Sequence, residues 1–319
     1  VAILYLAGHT LDLSELPKVL ANADPSLVIF AAVLVLLGYG VKLGIVPLHT
    51  WLPDAYARAP VGVTAIMVGP TKIGVLIALF LTFSALPAGG GIPRTLGIIV
   101  IFFAILTMTV GNLLALNQRD LRYILAYSSV AQMGYILLGF GIGLVYNLQL
   151  GFTAGLYYAI AYAMMKAGAF IAADVFGTDA GSFETDKMKG IGARHPFLGI
   201  SFAIFIFGLI GVPFTNGFLG KMLLEQAGMV TSMMSGVVLA LILALNSALS
   251  LGYYVPVISK LMFSSAEKGQ CPVRLKPVPL GALSAVIFLA IVTVYFGLFP
   301  ESFTWISHAA GQIFTWGVA

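Results

Sequence analysis

Residues 150–176 read LGFTAGLYYAIAYAMMKAGAFIAADVF, an apolar run with one lysine, Lys166, inside it. A helix needs about 20 mostly apolar residues to cross the hydrocarbon core of a bilayer, and this run is longer than that. Its glycines and alanines are typical of membrane helices that pack closely against one another. The stretch therefore predicts a membrane-spanning helix that holds an ionisable group at membrane depth.

The composition of the whole chain fits the same environment. Of 319 residues, 60% are hydrophobic and 9% are charged, whereas about a quarter of the residues of a soluble domain are charged. The single cysteine, Cys271, excludes a disulfide within the chain and a metal site built from several thiolates. The basic residues are scattered between apolar runs and form no stripe, so the net charge of +4 does not indicate nucleic-acid binding.

Hydropathy and helix-breaking residues predict an all-α fold, a polytopic bundle of about eight transmembrane helices. The first residues, VAILYLAG, are too few to cross a bilayer and resemble the end of a helix whose beginning is missing. Residues 11–21 fit a short amphipathic helix at the membrane surface, and residues 302–316 fit another. The predicted spans are 26–46, 62–86, 96–116, 123–145, 150–176, 197–226, 229–263 and 280–299.

The basic residues outside the spans divide unequally between the two faces of such a bundle. With eight crossings the connecting segments alternate between the faces, so that Lys18 and Arg94 fall on one face and ten residues on the other. The positive-inside rule predicts that the richer face, called the basic face below, is cytoplasmic. It carries Arg58, Arg119, Arg122, Lys187, Lys189, Arg194, Lys260, Lys268, Arg274 and Lys276.

The four remaining basic residues are all lysines, and all fall inside predicted spans: Lys42, Lys72, Lys166 and Lys221. A charged lysine at mid-bilayer costs at least roughly 2.5 to 3.5 kcal/mol, so ionisable residues there usually mark an ion or proton path. Lysine can lose its proton in an apolar environment and arginine cannot, which favours a proton relay over simple charge pairing. The alternative is snorkelling, in which the long stem carries the ammonium group to the interface.

Helix-breaking residues accompany two of these lysines. Proline removes a helical hydrogen bond and clashes with the preceding turn, and broken helices at membrane depth occur where the backbone lines a cavity or packs against protein. Such breaks would give water access to the lysines; alternatively, the first proline simply ends its helix. The breakers are Pro47 and Pro53 after Lys42, and Pro213, Gly217 and Gly220 before Lys221.

Four other polar residues are candidates for relaying protons or supporting the lysines. His49 titrates near neutral pH, although a capping or packing role fits it equally well. Ser128, Ser129 and Gln132 place two hydroxyls and an amide inside one span, where hydrogen bonding between helices is the alternative. Because the sequence contains no nucleotide-binding loop or dinucleotide fingerprint, we predict no catalytic residue, no cofactor-binding residue and no metal ligand.

Four segments around the lysines resemble, in order, the signatures of antiporter-like membrane subunits. These are the proton-translocating subunits of respiratory complex I, of related membrane-bound hydrogenases and methanophenazine-linked dehydrogenases, and of multi-subunit cation/proton antiporters. The resemblance runs through nearly the whole chain and leans toward the N and M types. The segments are KLGIVPLHTWLPDAYARAPVGVTAIMVGPTKIG (42–74), LLALNQRDLRYILAYSSVAQMGYILLG (113–139), YYAIAYAMMKAGAF (157–170) and GVPFTNGFLGKMLL (211–224).

The resemblance implies an architecture of fourteen helices with two inverted five-helix repeats, each with a broken helix. On that pattern the chain would begin near the end of the sixth helix, so the first repeat would be incomplete. Residues 1–24 would hold the end of a preceding helix and a surface segment, and residues 25–92 the last two helices of the first repeat. Residues 93–263 would form the second repeat, and residues 264–319 a loop, the final helix and a tail.

The resemblance also assigns roles to the lysines. Lys42 matches the lysine of the seventh, broken helix, and Lys72 matches the central relay lysine of the eighth. Lys166 matches the lysine of the eleventh helix, and Lys221 the one near the break of the twelfth. Two departures accompany these matches: the fifth-helix glutamate that pairs with the Lys42 equivalent has no match, and Gln132 stands where many members carry histidine.

The function implied is proton translocation in a prokaryotic cell membrane by a non-redox subunit of a redox-driven complex. The chain would hold no cofactor of its own. Its partners would be neighbouring antiporter-like subunits, iron-sulfur or hydrogenase-like peripheral subunits and the lipid bilayer. The alternatives are a subunit of a multi-subunit sodium/proton antiporter without redox chemistry, and a scaffold that has lost transport. Four retained lysines count against the scaffold, which gains nothing from their insertion cost.

Overall fold

The computed structural model of the chain describes residues 1–231, 233–264, 278–303 and 305. Apart from one isolated β-bridge between Asp120 and Glu184, the regular structure in that part is helical. The predicted basic-face residues Lys268, Arg274 and Lys276 lie outside the described residues, as do Cys271 and most of the predicted surface helix 302–316.

The described residues form fourteen α-helices, three short 3₁₀ turns and one π-helical turn. The 3₁₀ turns are Leu20–Asn22, Thr185–Met188 and Pro300–Phe303, and the π-helical turn Ser259–Phe263 extends α13. The α-helices are α1 Ala2–Gly8, α2 Leu16–Val19, α3 Pro25–Leu43, α4 Trp51–Arg58, α5 Val61–Val68, α6 Pro70–Ser84, α7 Ile92–Leu116, α8 Leu121–Tyr146, α9 Gln149–Ala180, α10 Ile191–Arg194, α11 Pro196–Ile210, α12 Asn216–Met229, α13 Met233–Ile258 and α14 Leu280–Leu298.

The predicted polytopic all-α bundle is confirmed. Seven helical segments in the described part are long and apolar enough to cross a membrane, with α5 and α6 counted together. The number rises to eight if Thr185–Arg194 and Pro196–Ile210, which are bent by 118°, count as one span. The ends of the seven agree with the predicted spans to within four residues, except that the span predicted to begin at 229 begins at Gly236. The predicted span 197–226 is instead divided into α11 and α12, of 15 and 14 residues, on either side of residues 211–215.

Both predicted helix breaks are present, and each begins at a glycine. Helix α3 ends before Gly44, at φ +74°, and α11 ends before Gly211, at φ +97°. Glycine adopts this left-handed conformation without steric cost, which is why it commonly terminates helices. A third break, between α5 and α6, was not predicted; it falls at Gly69, where Pro70 begins the next helix and restricts the residue before it.

Helices α8 and α9 form the centre of the bundle. Helix α8 is buried along nearly its whole length, and α7 and α9 pack on either side of it. Glycines permit this packing: a Cβ added at Gly134 of α8 would lie 2.5 Å from the backbone nitrogen of Met108 and 2.6 Å from the carbonyl oxygen of Ala104. The two backbones therefore approach too closely for any larger residue at that point.

Replacing Gly134 with alanine should consequently destabilise the protein. The added methyl group overlaps backbone atoms of α7, and overpacking of this kind typically costs about 1 to 3 kcal/mol. We expect a clearly lower midpoint of thermal unfolding for the detergent-solubilised protein. Gly74→Ala in α6 is the matched control, because a Cβ there meets nothing within 4 Å. An unchanged midpoint for Gly134→Ala would contradict this description of the α7–α8 contact.

Short contacts hold together the loops at the basic face. The backbone nitrogen of Leu121 donates to the carbonyl oxygen of Phe183, 2.9 Å away, and the guanidinium group of Arg122 lies 3.5 Å from the centre of the Phe183 ring. Farther along the chain, the Lys260 ammonium group lies 2.8 Å from the Asp186 carboxylate. These contacts fix the ends of α8, α9 and α13 relative to one another.

Candidate functional site

Three of the four lysines singled out from the sequence are buried inside the bundle. The exposed fraction is 2% for Lys72, 0% for Lys166 and 7% for Lys221, so none of the three snorkels to an interface. Within the described residues, none of the three ammonium groups has a carboxylate partner within 4.0 Å. Their direct neighbours are hydroxyl groups, carbonyl oxygens and aromatic rings. The Glu225 carboxylate, one helical turn after Lys221 on α12, attracts that amine from a longer distance.

Lys72 lies in the first turn of α6, directly after the Gly69 break. Its Nζ donates to the hydroxyl of Tyr162 on α9, at 3.4 Å. The same nitrogen lies 5.4 Å from the centre of the Tyr56 ring, within the range of a cation–π interaction. Lys72 is therefore connected by a hydrogen bond to the helix that carries Lys166.

Lys166 lies one helical turn after Tyr162 on α9 and hydrogen-bonds to two other helices. Its Nζ donates to the carbonyl oxygen of Leu125 at 2.9 Å and to the hydroxyl of Tyr254 at 3.1 Å, and it also hydrogen-bonds to the hydroxyl of Ser128. Ser128 and Ser129 both donate to the Leu125 carbonyl oxygen. Of the two predicted serines, only Ser128 contacts the lysine directly.

Lys221 is positioned by the break between α11 and α12. The last carbonyl groups of a helix have no partner within it, and Nζ of Lys221 donates to two of these at the end of α11, those of Leu209 (3.1 Å) and Ile210 (2.8 Å). A third bond, of 3.2 Å, goes to the hydroxyl of Ser247 on α13. The negative end of the α11 dipole thus faces the ammonium group.

Gln132 connects the surroundings of Lys166 and Lys221. It lies one turn after Ser128 on α8 and is fully buried. Its amide nitrogen donates to the Leu209 carbonyl oxygen at 3.3 Å, the same oxygen that Lys221 contacts, and its amide oxygen accepts a hydrogen bond from Tyr158. The described contacts therefore form a nearly continuous set of polar groups from Lys72 to Lys221.

Sequence reasoning missed the tyrosines of this set. Tyr56, Tyr162 and Tyr254 contact the lysines as described above, and the Tyr135 ring lies 4.7 Å from Nζ of Lys221. One signal for them was present: Tyr158, Tyr162 and Lys166 are spaced by four residues, which places them on one face of α9. A tyrosine hydroxyl both donates and accepts hydrogen bonds and so has the chemistry to pass a proton between two amines.

Lys42 and His49 are not joined to the buried lysines by hydrogen bonds. Because α3 ends at Gly44, Lys42 falls in its last turn and is exposed in the described chain. His49 is buried in the segment between α3 and α4, and burial lowers its pKa. The same segment is held to α7 by a bond of 3.1 Å from the Val46 nitrogen to the Thr107 hydroxyl.

The described residues contain no group of three or more histidine, cysteine, aspartate or glutamate side chains that could hold a metal ion. The titratable and hydrogen-bonding groups at the site are amines, hydroxyls and one amide. Three buried amines without a carboxylate in direct contact, linked by hydroxyl and amide groups, can each hold or release a proton.

Comparison with known proteins identifies relatives of the chain. The family model described as "NADH:quinone oxidoreductase/Mrp antiporter, TM" matches residues 1–247. NADH-quinone oxidoreductase subunit N of Chlorobium chlorochromatii is 33% identical over 307 residues, which cover 92% of the chain and 58% of that protein. F(420)H(2) dehydrogenase subunit N of Methanosarcina mazei is 34% identical over 299 residues, which cover 89% and 57%.

The fold has a counterpart among solved structures. A chain of the membrane-bound sulfane sulfur reductase, an archaeal respiratory membrane complex, superimposes with a TM-score of 0.85 at 26% identity. The match covers 98% of this chain and 62% of the other. The chain thus spans less than two thirds of the length of each of these three proteins.

Proposed function

Since the chain belongs to the NADH:quinone oxidoreductase/Mrp antiporter transmembrane family, we propose that it translocates protons as the antiporter-like subunit of a redox-driven membrane complex. It is an integral, multi-pass membrane protein. The observation that carries the proposal is the pair of buried amines, Lys72 and Lys166, on either side of Tyr162 and without a carboxylate partner. A scaffold has no use for two uncompensated ammonium groups in its core, because each is costly to bury.

The proposed relay runs from Lys72 to Lys221. Lys72 is hydrogen-bonded to Tyr162, which lies one helical turn before Lys166, and a positive charge on one of two neighbouring amines disfavours a second charge on the other. A proton arriving at Lys72 therefore promotes release from Lys166 toward Ser128, Tyr254 and Gln132. From there it reaches Lys221 at the α11–α12 break, where non-helical backbone provides a path for water.

Lys42 has a different place in this proposal. Exposed at the end of α3, it is the lysine that a neighbouring subunit is able to contact. We propose that Lys42 receives the signal that redox chemistry elsewhere in the complex produces. His49 and Ser129 support the relay without a direct bond to a buried lysine. The division into an incomplete first repeat, residues 25–92, and a second repeat, residues 93–263, belongs to the same proposal.

The relatives support the redox-driven complex over a stand-alone sodium/proton antiporter. Both relatives named above are subunits N of oxidoreductases or dehydrogenases, and the similar fold comes from a respiratory complex. We therefore propose that electrons pass through other subunits, which hold the iron-sulfur or hydrogenase-like centres. Neighbouring antiporter-like subunits complete the membrane part, and this chain holds no cofactor.

Purification of the intact complex through a tag on this chain tests the proposal. We expect mass spectrometry to identify iron-sulfur or hydrogenase-like subunits. In proteoliposomes, the complex should acidify or alkalinise the lumen when supplied with NADH, reduced F420 or H2, whichever donor it oxidises, and should do so without sodium. Absence of such subunits, together with a pH change that requires sodium and no electron donor, would establish the antiporter alternative instead.

The orientation is a separate prediction. Arg94 and Arg119 are both exposed and lie at opposite ends of α7, a helix about 37 Å long at 1.5 Å per residue. In a variant with Cys271 replaced by serine, a cysteine at position 119 should react with an impermeant maleimide only from the cytoplasm. A cysteine at position 94 should react only from outside. The reverse pattern would refute the assignment of the basic face to the cytoplasm of a prokaryotic cell.

A further inference from the structure

A second group of ionisable residues surrounds a cavity at the basic face, away from the buried lysines. The cavity has a volume of about 260 Å³ and lies between the end of α9 and the starts of α5 and α14. A water molecule takes up about 30 Å³ in the liquid, so several fit. Two carboxylates line it, Asp174 and Asp179, both from α9.

The two carboxylates differ in their partners. Asp179 is almost fully buried, and its Oδ2 lies 3.1 Å from Nε2 of His195 at the corner between α10 and α11. Asp174 is half-buried and makes no hydrogen bond or ion pair with a described residue; Arg122 of α8 acts on it only through a longer-range electrostatic attraction. Asp179 is therefore held in a structural pair, whereas Asp174 is free to exchange protons with the cavity.

Asp174 continues the row of α9 residues that carries the relay. Tyr162, Lys166, Phe170 and Asp174 follow one another at intervals of four residues, so each side chain neighbours the next along a row that winds slowly around the helix. The series begins at the partner of Lys72, passes through Lys166 and ends at the cavity. Asp174 is thus the carboxylate at which this row of residues reaches the cavity.

Two packed aromatic rings connect the row of α9 residues that ends at Asp174 with Lys72. Phe170 is 3% exposed, and its ring packs edge-on against that of Tyr56, with 6.0 Å between centres. Tyr56 also contacts Lys72, whose Nζ lies 5.4 Å from the centre of the Tyr56 ring. Protons move along water, hydroxyl groups and titratable side chains, and the Phe170 ring offers none of these to a proton that follows this row from Asp174 to Lys72.

We propose that Asp174 collects protons from the basic face for Lys72, and that the Phe170–Tyr56 pair is the gate between them. The inference rests on the proposed function and adds the group that supplies the relay. When the pair is closed, Asp174 equilibrates with the cytoplasm while Lys72 is sealed off. Movement of either ring would connect the cavity to Lys72 and admit one proton at a time.

Proton pumping by variants of the intact complex in proteoliposomes tests the carboxylate. Asp174→Asn should reduce the initial rate by at least about tenfold near neutral pH, since a positioned proton-transfer group contributes that much or more. The loss should shrink as the pH falls, because free protons then replace the collector. Asp174→Glu, which keeps a carboxylate, should retain most of the wild-type rate. Asp12→Asn, the matched control at an exposed aspartate, should have no effect on the rate.

Pumping by Asp174→Asn at the wild-type rate would overturn the proposal. Equal loss in Asp174→Asn and Asp174→Glu, in complexes that assemble normally, would also overturn it, because it would show a structural role. Lys72→Ala in the same assay separates the two claims. If Lys72→Ala stops pumping while Asp174→Asn does not, only the role proposed for Asp174 is wrong. If Lys72→Ala pumps normally, the proposed lysine relay is wrong.

Passive proton flux tests the gate. Without an electron donor, Phe170→Ala should make the proteoliposomes permeable to protons when a potassium diffusion potential is imposed with valinomycin, whereas the wild-type complex should not. Phe170→Leu, which keeps an apolar side chain of similar reach, should leak less than Phe170→Ala. Proteoliposomes of Phe170→Ala as tight as those of the wild type would contradict a gate at this position.

Discussion

Replacing Lys72 with alanine is expected to reduce proton pumping to background in reconstituted complexes. Lys72 is the buried amine nearest to the Tyr56–Phe170 pair, and its bond to Tyr162 is its connection to Lys166. Alanine has no group to take up a proton, and loss of a positioned proton-transfer group typically lowers a rate by about 10² to 10⁴. The measurement is the ratio of protons pumped to electrons transferred, read with a pH-sensitive dye and the absorbance of the electron donor.

Lys18→Ala is the matched control for this variant. Lys18 is exposed in α2, on the opposite face from most of the basic residues, and its loss should leave the ratio unchanged. Because an unpaired charge is costly to bury, its removal in Lys72→Ala should not prevent assembly of the complex. An unchanged ratio in Lys72→Ala would count decisively against the relay.

Replacing Gln132 with leucine is expected to interrupt the relay between Lys166 and Lys221. The Gln132 amide contacts the Leu209 carbonyl oxygen on one side and the Tyr158 hydroxyl on the other, and leucine has a similar size but no polar atom. We expect pumping to fall by at least about tenfold. The loss of two buried hydrogen bonds also leaves their partners unsatisfied, which costs about 1 to 3 kcal/mol for each group.

Gln132→His distinguishes transport from stability in this experiment. Histidine supplies a donor and an acceptor in the same place and titrates near neutral pH. We expect Gln132→His to pump at close to the wild-type rate. Normal pumping by Gln132→Leu in an assembled complex would show that protons bypass this residue.

The spans and the buried lysines follow from the sequence because both depend on local composition. An apolar run of bilayer length forms a helix whatever surrounds it, and a lysine within such a run is conspicuous. The breaks before Lys221 and after Lys42 were predictable for the same reason, since glycine and proline act on the adjacent turn. The break at Gly69 had an equally local signal in Gly69-Pro70.

The partners of the lysines were not predictable, because they depend on which helices pack together. Tyr254 contacts Lys166 across 88 residues, and Ser247 contacts Lys221 across 26; no spacing in the sequence brings them together. The exposure of Lys42 depends on how one glycine ends α3. The difference between Asp174 and Asp179 depends on the corner that brings His195 to only one of them.

The most direct test of the central claim is the proton-to-electron ratio of Lys72→Arg. Arginine keeps the positive charge and the cation–π partner that Lys72 has in Tyr56 but does not release its proton in proteins. If the buried amines carry protons, the ratio for the assembled Lys72→Arg complex falls to that of Lys72→Ala. If it equals the wild-type ratio, the buried lysine serves only as a fixed charge, and the relay proposed for this chain is contradicted.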